Sequence, residues 1–296
     1  MAESLKEVSE QQASGELTAL YLDVKRTLRV PLVNLLYRVW ANEGSLPLLW
    51  QVARPNLQTI DFENKADSLR TEAVENIAYD VEVPAQSSRM SALNLSSTDI
   101  EAIRRELDVF HYINPKLLLH CALLKRALGL WGYHGTGQSL GQVEPGIPSE
   151  MPKEIVMTDP QSATPEMRQI FDEIRNRLKL RAINSAYRAL AKWPNYLRLA
   201  WMDLRQYHES HYYGLHEKNL RHYAAGLVNG LPHSARITAE DAKRAGIDRA
   251  KLVELVDPFL ELLPGLILNI SFLKIALDGA DEARKSPFPV QLVARA

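Results

Sequence analysis

The chain has 296 residues, of which 46% are apolar and 24% charged, proportions typical of a soluble globular protein. A formal net charge of −1 provides no field to hold a phosphate backbone or an anionic membrane, so nucleic acid and membrane are not expected partners. The single cysteine excludes an internal disulfide or CxxC pair, and the polar N-terminus is not a secretory signal, which favours a cytoplasmic protein.

The first predicted helical periodicity lies within residues 16–41. Apolar residues recur there at the three- and four-residue steps of an amphipathic helix: Leu20, Val24, Leu28, Val30, Val33 and Tyr37. Ser97 or Thr98, followed by Asp99, then predicts the start of a helix from Ile100 to Phe110. Cys121 lies in the next apolar helical run, where a buried core residue is favoured over a nucleophile.

Glycine and proline are concentrated in residues 135–163, which predicts a linker between two units. Thr164, Pro165 and Glu166 follow as an N-cap, a proline at the first helical position and an acid in the first turn, which together predict a new helix.

The segment that begins there repeats residues 16–41 at a constant offset of 150. Six positions are identical, where chance would give on the order of two: Glu16/Glu166, Leu28/Leu178, Asn34/Asn184, Tyr37/Tyr187, Arg38/Arg188 and Ala41/Ala191. The offset later becomes 149, as in Pro115/Pro264 and Lys125/Lys274. We therefore predict an all-α fold of two repeated units, residues 15–134 and 164–290, forming an intramolecular pseudo-dimer with a cleft at its pseudo-two-fold axis.

Two equivalent amides interrupt the predicted apolar faces, Asn34 in the first unit and Asn184 in the second. An amide buried without partners costs roughly 1–3 kcal/mol, so each needs hydrogen bonds. Either they bond to each other or to local backbone as structural residues, or they line a small polar pocket between the units. Asn114, next to Pro115, is a third amide that could reach the same cleft.

A histidine-rich stretch in the second unit allows a different hypothesis, a metal site. Its histidines are His208, His211, His216 and His222. Histidines three residues apart on a helix can share a metal, but no HExxH-type spacing is present and Gly214 would break the helix between the pairs. A solvated surface helix is the favoured interpretation, and no metal is expected.

Several motifs together resemble the group I 2-haloacid dehalogenases, enzymes that act on both D- and L-2-haloacids. The motifs are Leu28-Arg29-Val30-Pro31, Asn114-Pro115-Lys116, Ala189-Leu190-Ala191-Lys192-Trp193-Pro194, Gly230-Leu231-Pro232, Leu277-Asp278-Gly279-Ala280 and Ser286-Pro287-Phe288-Pro289. The resemblance runs from about Leu17 to Val290. It implies an all-α fold of two repeats with a central site, and cofactor-free hydrolysis of a small carboxylic acid by direct attack of water.

In that family an aspartate follows a serine and takes the proton of the attacking water, help that is typically worth ~10²–10⁴ in rate. Here the matching run begins Ser185-Ala186-Tyr187, so the position of the base is occupied by Ala186. The resemblance implies that Asn114 positions the water, with Asn184 and Ser185 as further polar groups.

Part of the family's pocket is also changed. Leu32 and Leu35 stand where the family carries aromatic residues, and Leu117 stands where it carries a tyrosine. A carboxylate from elsewhere, Glu43 or Asp203, could replace the missing base.

Two hypotheses follow. The chain is a dehalogenase-like hydrolase, or it is a non-dehalogenating family member that uses the same cleft for binding or for another reaction. A homodimer is left open.

Overall fold

The computed structural model describes residues 6–290, so the first five residues of the polar N-terminus lie outside the described residues. Within that range the chain forms thirteen α-helices and no strand, which confirms the all-α prediction. The helices are α1 Glu16–Leu28, α2 Leu35–Asn42, α3 Leu46–Leu57, α4 Ile60–Asp80, α5 Ser87–Met90, α6 Ser97–Ala127, α7 Pro165–Arg177, α8 Ser185–Leu190, α9 Pro194–Glu209, α10 His211–Leu227, α11 Ala239–Arg244, α12 Arg249–Asp278 and α13 Ala280–Ala283.

Two long helices, α6 with 31 residues and α12 with 30, pack along each other at the centre of the molecule. Helix α6 begins at a capping box in which Ser96 and Asp99 satisfy each other's backbone N–H groups. It then continues to Ala127, well beyond the predicted end at Phe110. Pro115 removes one intrahelical hydrogen bond but does not end the helix, because the apolar residues around it are buried against the core.

Helix α12 is long and apolar enough to cross a membrane by length and composition. However, 78% of its most apolar window is buried inside the protein, which is the behaviour of a core helix.

The prediction that Asn34 and Asn184 lie within apolar helical faces is wrong. Helix α1 ends at Leu28, and Arg29 adopts a left-handed conformation with φ of 62° before the chain turns into α2. Lys179, its equivalent after α7, is also left-handed with φ of 53°. As a result Asn34 and Asn184 are the N-cap residues of α2 and α8, not residues within a helical face.

Contacts at equivalent positions recur in the two halves. Lys125 pairs with Asp257, and Lys274 pairs with Asp108, so each long helix supplies one lysine and one aspartate to the other at the sequence offset of 149. Such reciprocal pairing is expected of an isologous interface. These contacts support the predicted duplication.

Residues 135–163 contain no helix and contact both halves of the chain. The Gly146 N–H donates to the Arg26 carbonyl at 2.9 Å, and the Thr158 N–H donates to the Arg188 carbonyl at 3.0 Å. The segment therefore passes along the first half before it reaches the second.

Candidate functional site

A cavity of about 180 Å³ lies where the N-terminal ends of α2 and α8 meet the middle of α6 and α12. Among the residues that line it are eight that the sequence analysis selected: Asn34, Leu35, Asn114, Leu117, Asn184, Ser185, Ala186 and Tyr187. The cavity thus lies between α2 and α6 on one side and α8 and α12 on the other.

Three other candidates lie elsewhere. Leu32, predicted to bind substrate, is a core residue in the turn before α2 and does not line the cavity. Glu43 is the C-cap of α2 and lies near Lys251. Asp203 is buried on α9, where Arg89 donates to both of its carboxylate oxygens. Neither carboxylate can therefore serve as the replacement base in this structure.

The three amides differ in their hydrogen bonding. Asn184 caps α8, with its Oδ1 accepting from the Tyr187 N–H at 3.5 Å. Asn34 makes no side-chain cap bond, and its Oδ1 is buried without a partner among the described residues. The Asn114 side chain is also buried and bonds to no other side chain in residues 6–290. Asn34 and Asn114 therefore keep hydrogen-bonding capacity for a bound molecule or water.

Three arginines line the same cavity, Arg38, Arg181 and Arg188. The Nε of Arg38 is buried and unbonded within the described part of the chain. Burial, followed by the nearby charge of Arg38, lowers the pKa of Arg188. A cavity with several guanidinium groups is suited to a carboxylate, which arginine binds through two parallel hydrogen bonds.

The sequence analysis did not select these arginines, although Arg38 and Arg188 are one of the six identical pairs of the repeat. It also missed Glu7, which precedes α1 and lines the cavity, with its Oε2 3.2 Å from an Arg38 nitrogen. Glu7 lies outside the repeat and outside any periodic pattern, so the sequence carried no signal for it.

A chain of hydrogen bonds lies beside the cavity. The Asn269 amide donates to the Tyr187 hydroxyl at 3.1 Å, and its Oδ1 accepts from the Tyr213 hydroxyl at 2.9 Å. Burial raises the pKa of Tyr187, so its phenol stays neutral and can act as a hydrogen-bond donor.

The remaining walls are apolar and come from Phe110, Phe259, Leu262, Leu263, Leu266 and Ile270. Apolar walls lower the effective dielectric around charged groups, so charges inside interact more strongly than at the surface. The site can hold a small anion with an apolar substituent.

The histidine-rich stretch has a different arrangement from the predicted one. Helix α10 runs through Gly214, and the break between α9 and α10 falls at Ser210. His216 is buried and bonds to Tyr207 and Asp80, so it does not belong to a solvated surface helix. No three His, Cys, Asp or Glu side chains in residues 6–290 are arranged to hold a metal ion.

Comparison with known proteins places this chain and its fold among the 2-haloacid dehalogenases. The chain belongs to the family described as halocarboxylic acid dehydrogenase DehI, which matches residues 31–187, more than half of its length.

Individual relatives are similar over nearly their whole length. The chain is 29% identical to an (R)-2-haloacid dehalogenase of Pseudomonas putida, covering 91% of this chain and 92% of that protein. It is 28% identical to a configuration-inverting 2-haloacid dehalogenase of Alcaligenes xylosoxydans xylosoxydans, covering 96% and 97%. A solved structure of a D-2-haloacid dehalogenase in complex with L-LA is similar with a TM-score of 0.83, at 28% identity and covering 92% and 96%.

These findings confirm the predicted membership among 2-haloacid dehalogenases. The names of the relatives do not state action on both D- and L-2-haloacids, which the resemblance implied.

Proposed function

We propose that this chain binds a small 2-halocarboxylate in the central cavity and hydrolyses it by direct attack of water at C2. The observation that carries the proposal is the convergence of arginines, free amides and apolar walls on one cavity. Arg38 and Arg188 would hold the substrate carboxylate, and the apolar walls would hold the halogen and the alkyl group.

The free amide of Asn114 would orient the attacking water. The water oxygen forms a bond to C2 as the carbon–halogen bond breaks, so the configuration at C2 inverts and halide leaves. The family's base would come from position 186, where Ala186 presents only a methyl group. Asn184 and Ser185 border the same space but are not bases at neutral pH.

We further propose that both enantiomers are substrates, as the resemblance to the group I enzymes implies. The site is formed by equivalent elements of two halves, which supports access to C2 from either side. The relatives named above act on (R)-2-haloacids or with inversion, so each enantiomer of 2-chloropropionate should give lactate of the opposite configuration.

The test is halide release from (R)- and (S)-2-chloropropionate, with chiral analysis of the lactate formed. Asn114→Ala should lower the rate by about 10²-fold or more, because the water loses its orienting group. Asn42→Ala, an exposed asparagine at the end of α2, is the matched control and should leave the rate unchanged. Halide release that survives Asn114→Ala would contradict the proposed role of that amide.

A second candidate function follows from Ala186. Without a base at that position, the cavity could bind a small carboxylate without dehalogenating it, or serve another reaction. In that case calorimetry would detect lactate or 2-chloropropionate binding, while no halide would appear from either enantiomer. Binding that Arg38→Gln and Arg188→Gln weaken would locate the ligand in the cavity.

We also propose that residues 15–134 and 164–290 are diverged copies that form a pseudo-dimer, joined by the linker 135–163. The reciprocal lysine–aspartate contacts support this organisation. We place the protein in the cytoplasm and leave further pairing into a homodimer to sedimentation analysis.

A further inference from the structure

The proposed hydrolysis requires a group that accepts a proton from water, and position 186 cannot provide one. Among the described residues that line the cavity, Glu7 is the carboxylate. It comes from the segment that precedes α1, not from either repeated unit.

That segment is held firmly against the first half. The Val8 N–H donates to the Arg38 carbonyl at 3.1 Å, and the Tyr21 hydroxyl donates to the Val8 carbonyl at 2.7 Å. Two residues further on, Glu10 accepts from the Val33 N–H at 2.8 Å. These bonds hold the residues that follow Glu7 against the first half, which places Glu7 beside Arg38 at the cavity.

The carboxylate of Glu7 faces Arg38. Its Oε2 is buried and lies 3.2 Å from an Arg38 nitrogen. Neither carboxylate oxygen takes part in a hydrogen bond within residues 6–290, so one oxygen remains available to a water molecule.

The position is also suitable. Arg38 contacts Glu7 and is proposed to contact the substrate carboxylate, whose carbon is bonded directly to C2. Glu7 lines the same cavity as Asn114 and Ala186, the latter being the position of the family's base. The attacking water would therefore lie between Glu7 and C2.

The net charge of the cavity lining allows the Glu7 carboxylate and the substrate carboxylate to occupy the cavity together. The cavity lining carries three arginines and one glutamate, so its net charge before a ligand binds is positive. An anionic substrate enters a site that still has a cation in excess, which offsets its repulsion from Glu7.

We propose that Glu7 is the general base of the reaction, in place of the aspartate that position 186 lacks; this inference rests on the proposed function. Glu7 takes a proton from the water while the oxygen forms its bond to C2. The electron pair of the carbon–halogen bond leaves with the halide. The protonated Glu7 then returns its proton to solvent at the mouth of the cavity.

The experiment combines Glu7→Gln and Ala186→Asp as single and double variants of the full chain. Halide release from both enantiomers of 2-chloropropionate and the affinity for lactate are measured for each protein. Glu16→Gln, at an exposed position in the first turn of α1, is the matched control and should behave as wild type.

The expected result is that Glu7→Gln loses about 10²–10⁴-fold in halide release while lactate affinity stays within about threefold of wild type (below 1 kcal/mol). The double variant should recover activity, because Asp at position 186 replaces the lost base.

Other results would overturn the inference in distinguishable ways. Halide release by Glu7→Gln at the wild-type rate excludes Glu7 and leaves the proposed function standing. Joint loss of turnover and lactate binding makes Glu7 a structural residue. A silent wild type with an active Ala186→Asp variant excludes Glu7 but supports the cavity, and silence of both excludes the proposed function itself.

Discussion

Tyrosines at equivalent positions in the two halves, Tyr37 and Tyr187, have different neighbours. Tyr37 is buried and packs edge-on against Trp40 and Trp50, and its hydroxyl bonds to the Nδ1 of His120 at 2.8 Å. In the first half, aromatic side chains therefore surround this hydroxyl.

Tyr187 has a more open environment. It contacts Trp201, and its hydroxyl is bonded to Asn269, the residue equivalent to His120. Both Tyr187 and Asn269 line the cavity. The comparison teaches that aromatic packing encloses the first tyrosine, whereas its equivalent borders the cavity, which residues of both halves line.

The largest predicted effect on stability concerns the two equivalent lysines of the long helices, Lys274 and Lys125. Lys274 is buried and contacts Asp108 and Asp278, both at 2.6 Å, whereas the Lys125–Asp257 pair is largely exposed. We expect Lys274→Met to cost about 3–5 kcal/mol in the free energy of unfolding, because Asp108 loses the cation with which it pairs, whereas Asp278 keeps Arg104 at 2.8 Å. Burial already raises the pKa of Asp108, so this carboxylate is poorly compensated even in the wild type.

The matched variant is Lys125→Met, for which we expect less than about 1 kcal/mol because water screens the exposed pair. Urea unfolding of both variants measures the two costs. Equal costs would show that the buried and the exposed lysine–aspartate pairs contribute equally to stability, which would contradict the prediction.

The next prediction concerns acid stability and His120. Burial lowers its pKa to about 3, whereas an unfolded histidine titrates near 6.5. Below about pH 6.5 the unfolded chain binds a proton that the folded chain does not, so stability is full above that pH and falls as the pH decreases toward 3. At pH 5 the loss from this residue is about 2 kcal/mol.

His120→Asn gives the first half the side chain that the second half carries at the equivalent position. We expect the difference in unfolding free energy between pH 7 and pH 5 to shrink by about 2 kcal/mol. Some dependence of the unfolding free energy on pH should remain in this variant, because burial also lowers the pKa of His111. His211→Asn, on the exposed start of α10, is the control, and an equal effect there would refute the assignment to His120.

The all-α class could be predicted because the spacing of apolar residues along the sequence shows helical periodicity. The positions at which individual helices end could not be predicted. Arg29 ends α1 in a left-handed conformation that arginine rarely adopts, and no residue pattern indicates it. Pro115 would ordinarily end a helix, yet α6 continues because its sides are packed against α12 and α4.

The site was predictable where it coincides with the repeat or with the family resemblance, as at Asn34, Asn114 and Ala186. Leu32 was selected from the family resemblance, and only the fold shows that its side chain is buried in the core and does not line this cavity. Glu7 was missed because only the fold brings the segment before α1 to the cavity, through contacts that are distant in sequence.

The smallest expected effect concerns the two N-cap asparagines. Asn184→Ala removes a long cap hydrogen bond to the Tyr187 N–H and should cost about 0.5–1 kcal/mol. Asn34→Ala removes a buried oxygen that has no partner within the described residues, so its cost in stability should be near zero.

Ligand binding should show the opposite order, because Asn34 has its hydrogen-bonding capacity free for a molecule in the cavity. We expect Asn34→Ala to weaken lactate binding by about fivefold to tenfold, which is roughly 1–1.4 kcal/mol. Asn184→Ala should weaken it less, since that oxygen is already engaged in capping. Calorimetry and urea unfolding on the same two proteins measure both quantities. Parallel losses in affinity and stability would mean that both asparagines act through the fold alone, and that the two halves contribute equally to the cavity.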